Sequence, residues 1–295
     1  MQLTNNYVAM MKKISFLLLP LLVAWACRPA AAPTDTQQEN DTLAAAALYD
    51  NKPIPSAGIE IPRNLQGNEG KILYRVGYTT SYNARNKIPN WVAWHLTASH
   101  ADGRHKRSNE VFHEDNEVSN PRAYDSDYRG SGYDRGHMCP SGDNKWDKTA
   151  QEQSFLFTNI CPQRHNLNAG AWNDVELQCR AWAKRYGDLY IVCGPVLYNQ
   201  QHKTIGRNRV VVPEAFFKVV LRQENRSQGR KYYKAIGFLY ENRGASRDMS
   251  RYVRCVDEIE ELTGLDFFSA LSDNIEDKIE KSADLRDWYP LREIK

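Results

Sequence analysis

The chain has 295 residues, of which 41% are hydrophobic and 25% are charged. A chain of this size and composition can bury a large core, so an intrinsically disordered polymer is excluded. Outside one N-terminal stretch, no apolar run approaches the roughly 18 residues of a membrane helix, which excludes a polytopic membrane protein. The formal net charge is +3, so charge alone does not indicate a nucleic-acid-binding protein.

Charge is nevertheless segregated along the chain. Residues 71–107 contain seven Lys or Arg and a single acid, Asp102, whereas residues 257–295 contain twelve acids and five bases. This asymmetry predicts an anion-facing surface, with the first segment lining a substrate groove, backed by an acidic C-terminal face. A solvated charge run is the alternative interpretation.

The N-terminus resembles a targeting segment. Lys12 and Lys13 precede an apolar run that ends in Ala24-Trp25-Ala26-Cys27, so residues 1–26 are predicted to be a signal peptide. Small residues directly before a cysteine resemble a lipoprotein box. The expected product is an exported lipoprotein, anchored to a membrane through Cys27, in the periplasm or at the cell surface. Plain secretion with an unmodified Cys27 is the alternative.

The next segment, residues 27–62, is rich in Ala, Pro, Thr, Gln, Asn and Asp. It has too little apolar patterning to offset the entropy cost of ordering, so we predict a flexible, lipid-anchored tether. Residues 63–295 then form the functional domain. Five cysteines remain there, and an odd number leaves at least one unpaired.

Periodicity predicts an α+β fold with a central, largely antiparallel sheet flanked by helices. Residues 72–78 and 91–96 are predicted to be neighbouring strands, and residues 114–133 a long polar loop. A helix is predicted over residues 168–186 and another from Ser246 to about Gly264. Further strands are predicted over residues 189–196, 210–212, 216–221 and 232–240.

The most informative motif is Asp134-Arg135-Gly136-His137. It places a cation and an imidazole on either side of one glycine. We expect the glycine to let the backbone turn so that both side chains reach one anionic centre. The motif therefore points to phosphate chemistry.

A second group of polar residues follows in Asn159, Asn168 and Glu176. Asn168 at the start of the predicted helix and Glu176 two turns later would lie near one face. An amide oxygen and a carboxylate suit Mg²⁺, which keeps several of its own waters. In the alternative, Asn168 is a helix cap and Glu176 an exposed helix residue.

These motifs closely resemble the DNA/RNA non-specific endonuclease family, the ββα-metal nucleases that include the Serratia secreted nuclease and mitochondrial endonuclease G. The resemblance extends from about Ile72 to Leu262, and the chain looks like a Bacteroidetes-type lipoprotein member. Its anchors are Arg107-Ser108 with Phe112 and Asp115, residues 127–133, Asp134-Arg135-Gly136-His137, Asn159 with Pro162-Gln163, and Asn168 with Trp172 and Glu176.

The resemblance implies a metal-dependent, sequence-non-specific endonuclease acting on DNA and RNA. His137 would be the general base and Asn168 the direct ligand of one Mg²⁺, with Mn²⁺ as a substitute ion. Glu176 would hold metal-bound water. The remaining assignments are Arg135 and Arg107 at the scissile phosphate, Asp134 and Asn159 orienting the site, and Arg104 and Lys106 binding substrate.

Several alternatives stay open. Arg104 or Lys106 could take the role of Arg107 after a small alignment shift. A structural zinc protein could use His137, Cys139, Cys161 and His165, although their spacing is unusual. A catalytically inert nucleic-acid-binding surface lipoprotein is another alternative, and a homodimer is one assembly compatible with the sequence.

Overall fold

The computed structural model describes residues 49–50, 58–67, 70–107 and 110–289. Cys27, the signal peptide and most of the predicted tether lie outside these residues. In the described part, no helix is both long and apolar enough to cross a membrane.

The fold centres on an eight-stranded antiparallel sheet. Its strands are β1 (Tyr49–Asp50), β3 (Lys71–Tyr74), β4 (Thr79–Asn83), β5 (Ile88–Leu96), β8 (Asp188–Val196), β11 (Ala215–Asn225), β12 (Lys231–Glu241) and β13 (Val253–Arg254). Their spatial order is β1-β12-β11-β8-β5-β4-β3, and β13 pairs with β12.

Three two-stranded pairs lie outside this sheet. They are β2 (Arg63–Asn64) with β14 (Leu265–Asp266), β6 (Asp134–His137) with β7 (Ile160–Gln163), and β9 (Thr204–Ile205) with β10 (Val210–Val211). The helices are α1 (Ala98–Ala101), α2 (Asp125–Tyr128), α3 (Lys148–Gln153), α4 (Asn173–Tyr186), α5 (Val256–Thr263) and α6 (Asp273–Glu280). A π-helical turn, Leu167–Trp172, leads directly into α4.

Each face of the sheet carries a separate core, because successive strand side chains point to opposite faces. Along β5, Val92, Trp94 and Leu96 belong to one core, which also contains the buried side chains of α4. Trp91 and Ala93 belong to the other core, which contains the apolar sides of α5 and α6. The molecule is therefore a three-layer α+β structure, as predicted from the sequence.

Two predicted elements differ from the structure. Residues 72–78 were expected to form one strand beside residues 91–96, but β3 ends at Tyr74 and β4 lies between β3 and β5. The backbone N–H of Arg75 donates to the carbonyl of Tyr78 at 2.8 Å, which closes a turn at Gly77. A side chain at Gly77 would collide with Asn144, so this turn requires a glycine.

The second helix also begins later than predicted. Residues 249–254 form a 3₁₀ turn and β13, and α5 starts after Cys255, whose N–H donates to the Glu258 carboxylate at 3.0 Å.

The predicted end of the tether is likewise too late. Ile59 is 1% exposed, and Tyr49 pairs with Tyr232 at the sheet edge, so ordered structure begins before residue 63.

All five cysteines of the domain are buried and unpaired. The prediction that at least one of these cysteines is unpaired is therefore confirmed, and all five are free thiols. Burial raises the pKa of the Cys139 and Cys161 thiols well above their ordinary value, which makes both poor metal ligands and poor nucleophiles.

Candidate active site

The predicted motif residues lie on β6, which pairs with β7 and precedes α4. In the antiparallel register, Arg135 lies opposite Pro162 and His137 opposite Ile160. Side chains two residues apart on a strand share a face, so Arg135 and His137 project together without a turn. The expectation that Gly136 turns the chain is therefore wrong.

Gly136 instead permits close packing. A Cβ atom at this position would lie 2.4 Å from Oε1 and 2.6 Å from Cβ of Gln163. The glycine lets the β7 side chain pass directly over β6 and keeps the two strands in register. Its role is to place Arg135 and His137 rather than to bend the backbone between them.

A cleft of about 510 Å³ brings most of the predicted site residues together. It lies between the end of β6, the π-helical turn and the first half of α4. Its charged and polar lining consists of Arg107, Arg135, His137, Ser141, Lys145, Asn168, Asn173, Glu176 and Arg180.

His137 forms the buried wall of this cleft and is 6% exposed. Its ring packs against Phe112 and Phe155, with centroid distances of 5.3 and 5.0 Å. The Trp172 indole donates to the His137 carbonyl oxygen at 3.3 Å, which ties the strand to the helix. The Nε2 atom is buried and has no hydrogen-bond partner in the described structure.

The electrostatics of this pocket keep His137 neutral. Burial, reinforced by the positive charge of Arg107, lowers the pKa of His137 to about 3. At neutral pH the imidazole therefore carries a free lone pair that can accept a proton. An unpartnered, neutral ring nitrogen can accept a proton, but so low a pKa makes it a weak base. An anionic phosphate beside His137 and Arg107 would raise this pKa toward the neutral range in which a general base works best.

Two arginines flank the imidazole. Arg135 donates from Nε to Oδ1 of Asp125 at 2.7 Å and lies over the rings of Phe112 and Tyr128, at 5.6 and 5.7 Å. Arg107 is exposed, with its guanidinium carbon 5.7 Å from the centre of the Phe155 ring. Arg135 is thus held rigidly, whereas Arg107 can approach a ligand from the rim.

Asp134 sets the orientation of Asn168. Its Oδ2 accepts hydrogen bonds from Asn168 Nδ2 and from the His165 ring, each at 2.9 Å. Because a carboxylate can only accept, the amide nitrogen of Asn168 must face Asp134. The amide oxygen is then the atom that Asn168 can offer to a ligand in the cleft.

Glu176 supplies the second oxygen donor, although Gly170 interrupts regular helical geometry between it and Asn168. Burial raises the pKa of Glu176 to about 7, and the positive charges of Lys218 and Arg180 partly offset this effect. One amide oxygen and one carboxylate are hard donors, and a Mg²⁺ ion needs few protein ligands. The donor set of this cleft therefore fits such an ion.

Asn159 does not line the cleft but supports the backbone beside it. It is fully buried, its Oδ1 accepts from the Cys139 N–H at 2.9 Å, and its Nδ2 donates to the Cys139 carbonyl at 2.8 Å. Asn159 thus fixes the chain just after His137. The orienting role that the sequence resemblance implied for Asn159 stays a prediction.

The basic segment does not line the cleft as a whole. Arg75 forms a buried ion pair with Asp115 and a second ion pair with the exposed Glu117, and Lys71 donates to the Glu117 carbonyl. Of the seven bases in residues 71–107, Arg107 alone belongs to the cleft lining among the described residues. The prediction that the whole segment lines the groove is therefore wrong.

Arg104 and Lys106, predicted to bind substrate, are exposed on the same loop as Arg107 but outside the cleft lining. They are placed to meet a long substrate beyond the cleft rather than the reacting group itself. Their role as substrate ligands stays a prediction.

The zinc alternative does not fit the structure. Among the described residues, the His/Cys/Asp/Glu side chains whose ligand atoms converge are Asp257, Glu260 and Glu280. His137, Cys139, Cys161 and His165 do not form such a group, and His165 is engaged with Asp134.

Four charged residues in or near the site were missed by the sequence interpretation. Asp125, the first residue of α2, anchors Arg135, and Lys145 and Arg180 line the cleft. Arg180 was detectable, since it follows Glu176 by one helical turn and so shares its face. Asp125 and Lys145 carried no periodic signal.

Lys218 is the fourth. This lysine of β11 is fully buried, and its ammonium lies over the rings of Trp94 and Trp172 at 4.9 and 4.5 Å. Its Nζ has no hydrogen-bond partner in the described structure. The cation–π contacts offset part of the free-energy cost of burying this charge. The positive charge of Lys218 also acts on the Glu176 carboxyl.

Comparison with known proteins gives a consistent result. The DNA/RNA non-specific endonuclease family profile matches residues 55–274. The mitochondrial nuclease EXOG of Xenopus laevis is 32% identical over 242 residues, covering 78% of this chain and 65% of that protein. The mitochondrial endonuclease G of Bos taurus is 34% identical over 157 residues, covering 50% and 52% of the two chains.

A solved structure agrees with the fold. A crystal structure of the EndoG/EndoGI complex, described as revealing the mechanism of EndoG inhibition, matches with a TM-score of 0.64 and 28% identity. The match covers 69% of this chain and 87% of that one. The chain spans 59% to 66% of the length of the vertebrate EXOG proteins it matches.

Proposed function

Since the chain belongs to the DNA/RNA non-specific endonuclease family, we propose that it hydrolyses phosphodiester bonds of DNA and RNA without sequence preference. One observation carries the proposal. A neutral, buried His137 shares a single cleft with three arginines, an oriented amide and a carboxylate.

The chemistry of the reaction explains why these groups belong together. A phosphodiester is an anion that repels hydroxide. Its hydrolysis requires a base for the attacking water, positive charge at the non-bridging oxygens and a cation at the leaving oxygen. The residues of this cleft match the first two requirements directly and hold donors for the third.

In this proposal, His137 Nε2 accepts a proton from the attacking water. Phe112 and Phe155 keep the ring in place, and their apolar surfaces keep it neutral. Arg135, fixed by Asp125, binds the non-bridging phosphate oxygens, and Arg107 closes on the same group from the rim. Their charges are of most use as negative charge develops in the transition state.

Asn168 and Glu176 would hold a divalent cation, Asn168 directly and Glu176 through water. We propose Mg²⁺, with Mn²⁺ able to replace it. When bound, the ion would supply positive charge to the leaving oxygen. Asp134 contributes by presenting the amide oxygen of Asn168.

Lack of sequence preference follows from the kind of contact. The charged groups of the cleft are suited to phosphate, and contacts to phosphate carry no base information. DNA and RNA are both proposed substrates.

The direct test is incubation of the purified chain from Cys27 onward with supercoiled plasmid and with single-stranded RNA. Both should be degraded in Mg²⁺ and remain intact in EDTA. Retention of both nucleic acids on the protein without cleavage in Mg²⁺ would instead support the inert binding protein.

We also propose that the protein is exported and anchored through lipid on Cys27. The support is the sequence of residues 12–27 alone, and the homodimer likewise stays a prediction. Cys27→Ser should move active nuclease from the membrane fraction to the soluble fraction. A mature N-terminus at another, unmodified residue would contradict the anchor.

A further inference from the structure

Four carboxylates face one another between α5 and α6. These helices pack on the sheet face opposite the cleft, where Val256, Ile259, Ile275 and Ile279 join the second core. Asp257 and Glu260 share one side of α5, and Glu276 and Glu280 share one side of α6. Carboxylate oxygens of Asp257, Glu260 and Glu280 all lie within 4.8 Å of one another.

Burial makes this arrangement costly. Glu280 is only 5% exposed, and its Oε1 is buried without any hydrogen-bond partner. Glu276 has a buried, unpartnered Oε1 as well. Burial, reinforced by the neighbouring carboxylates, raises the pKa of Glu280 to about 10. Buried charges are ordinarily paired or bound to a metal ion.

Basic side chains compensate this group only in part within the described residues. Lys281, which directly follows α6, pairs with Asp277 at 3.3 Å, and its positive charge partly offsets the rise in the pKa of Asp257. Arg63 pairs with Asp266 at 3.7 Å. Asp257, Glu260, Glu276 and Glu280 form no ion pair among the described residues. The unpartnered oxygen of Glu280 therefore points to a ligand that carries positive charge.

We propose that Asp257, Glu260 and Glu280 form a second divalent-cation site, suited to Ca²⁺, that joins α5 to α6. Ca²⁺ binds oxygen ligands at about 2.3–2.6 Å, so oxygens around one ion lie at most about 5 Å apart. The observed spacing satisfies this limit.

The ligand chemistry favours Ca²⁺ over other ions. Zinc prefers nitrogen and sulfur ligands, which this group lacks. Magnesium retains several waters and is usually bound by one or two carboxylates, whereas Ca²⁺ accepts several carboxylates in flexible geometry. Glu260 is already positioned, because its Oε1 accepts from the Phe267 N–H at 2.7 Å and leaves Oε2 for an ion.

The site is independent of the proposed nuclease cleft. It shares no residue with the cleft lining and lies on the other face of the sheet. Its expected effect is structural, since a bound ion would remove the repulsion between two helices that cover the second core. Thermal stability, rather than activity, is the appropriate measurement.

The experiment uses the mature chain carrying Asn168→Ala, which weakens ion binding in the cleft. After removal of metal with EGTA and dialysis, CaCl₂ or MgCl₂ is added and Tm is measured. A Ca²⁺ concentration of about 100 times Kd increases the folded-to-unfolded ratio about 100-fold, which raises Tm by roughly 5–10 °C for a chain of this size. Equilibrium dialysis should find one Ca²⁺ per chain, and MgCl₂ should have a smaller effect.

Glu280→Gln should abolish both the Tm increase and the bound ion. In metal-free buffer its Tm should be close to that of the parent, because burial keeps the Glu280 carboxyl protonated and the amide is its neutral analogue. Glu261→Gln, at an exposed acid of α5, should respond to Ca²⁺ like the parent, and Asp257→Asn provides a second ligand variant. The proposal is overturned if the parent shows no Ca²⁺-dependent Tm increase, or if the increase persists in both ligand variants.

Discussion

Burial and a neighbouring cation together determine the state of His137. The ring would be partly charged in water near its ordinary pKa, but Phe112, Phe155 and Arg107 oppose protonation. The same environment that keeps His137 neutral should destabilise the fold in acid. The protonation of this one residue thus links the proposed base to the stability of the fold.

The buried His137 should make the free energy of unfolding decrease in acid. The unfolded chain protonates His137 near pH 6.5, whereas the folded chain does so near 3. Below pH 6.5 the unfolded state binds more protons, so stability is complete above this pH and falls as pH decreases, by up to about 1.4 kcal/mol per unit. Urea unfolding at pH 7.5 and 5.0 should show that the wild type loses about 2 kcal/mol more than His137→Gln. Equal losses would contradict a buried, neutral imidazole.

The hydrogen bond between Asp134 and Asn168 predicts graded effects on metal dependence. Asn168→Ala should raise the Mg²⁺ concentration for half-maximal cleavage because it removes a ligand. Asp134→Asn should act in the same direction, by about 10- to 100-fold, because it disturbs the orientation of that ligand. Asp125→Asn is the matched control, since it should lower turnover through Arg135 without moving the Mg²⁺ midpoint. An unchanged midpoint in Asn168→Ala would remove that residue from the metal site.

At the residue scale, the sequence identified those site residues that share a continuous motif or a helix face. Arg135, His137, Asn168 and Glu176 all line the predicted site. Asp125 and Lys218 could not be found this way. Their roles arise from tertiary packing, where loop and strand residues meet the motif only after folding.

At the element scale, the pairing of β6 with β7 controls the geometry of the cleft. Gly136→Ala would place a methyl group against Gln163 and force the strands apart. We expect a loss of about 1–3 kcal/mol in unfolding free energy and a larger fractional loss of cleavage, because Arg135 and His137 move together. Gly244→Ala is the control, since its Cβ would lie 3.7 Å from the nearest atom. Wild-type cleavage by Gly136→Ala would contradict the packing role.

Strands and helices were predicted correctly where the apolar periodicity of the sequence matches the burial of the side chains in the structure. The long strands and α4 have continuous apolar patterns and were placed within a few residues. The strand β4 was missed because Thr79-Thr80-Ser81-Tyr82-Asn83 is polar, although Thr80 and Ser81 are fully buried. The start of α5 was misplaced because Ser246 offers a capping side chain while β13 and Cys255 set the actual boundary.

At the scale of the whole molecule, the two faces of the sheet differ in charge. The cleft face carries Arg107, Arg135, Lys145 and Arg180, whereas α5 and α6 on the other face belong to the acidic C-terminal segment. The sequence predicted that positive and negative charges are separated, but it attributed the whole positive face to residues 71–107. Arg75 pairs with acids of the neighbouring loop instead, and Lys71 donates to a backbone carbonyl of that loop.

This division predicts how salt affects binding. The affinity for duplex DNA in EDTA should fall with salt, with a log-log slope of about −0.9 per phosphate contacted. Replacing Arg104 and Lys106 with alanine should flatten that slope, whereas Lys278→Ala on α6 should leave it unchanged. Arg107→Ala should lower turnover more than affinity. Identical slopes in all variants would place the substrate elsewhere.

The central claim is that His137 is the general base of a phosphodiester hydrolase, and His137→Ala tests it most directly. Plasmid cleavage in Mg²⁺ and gel-shift affinity in EDTA should be measured on the same folded preparation, with Tm as the control. We expect cleavage to fall by about 10²- to 10⁴-fold while affinity changes little. Retained cleavage, or a parallel collapse of cleavage and affinity in a folded variant, would contradict the assignment.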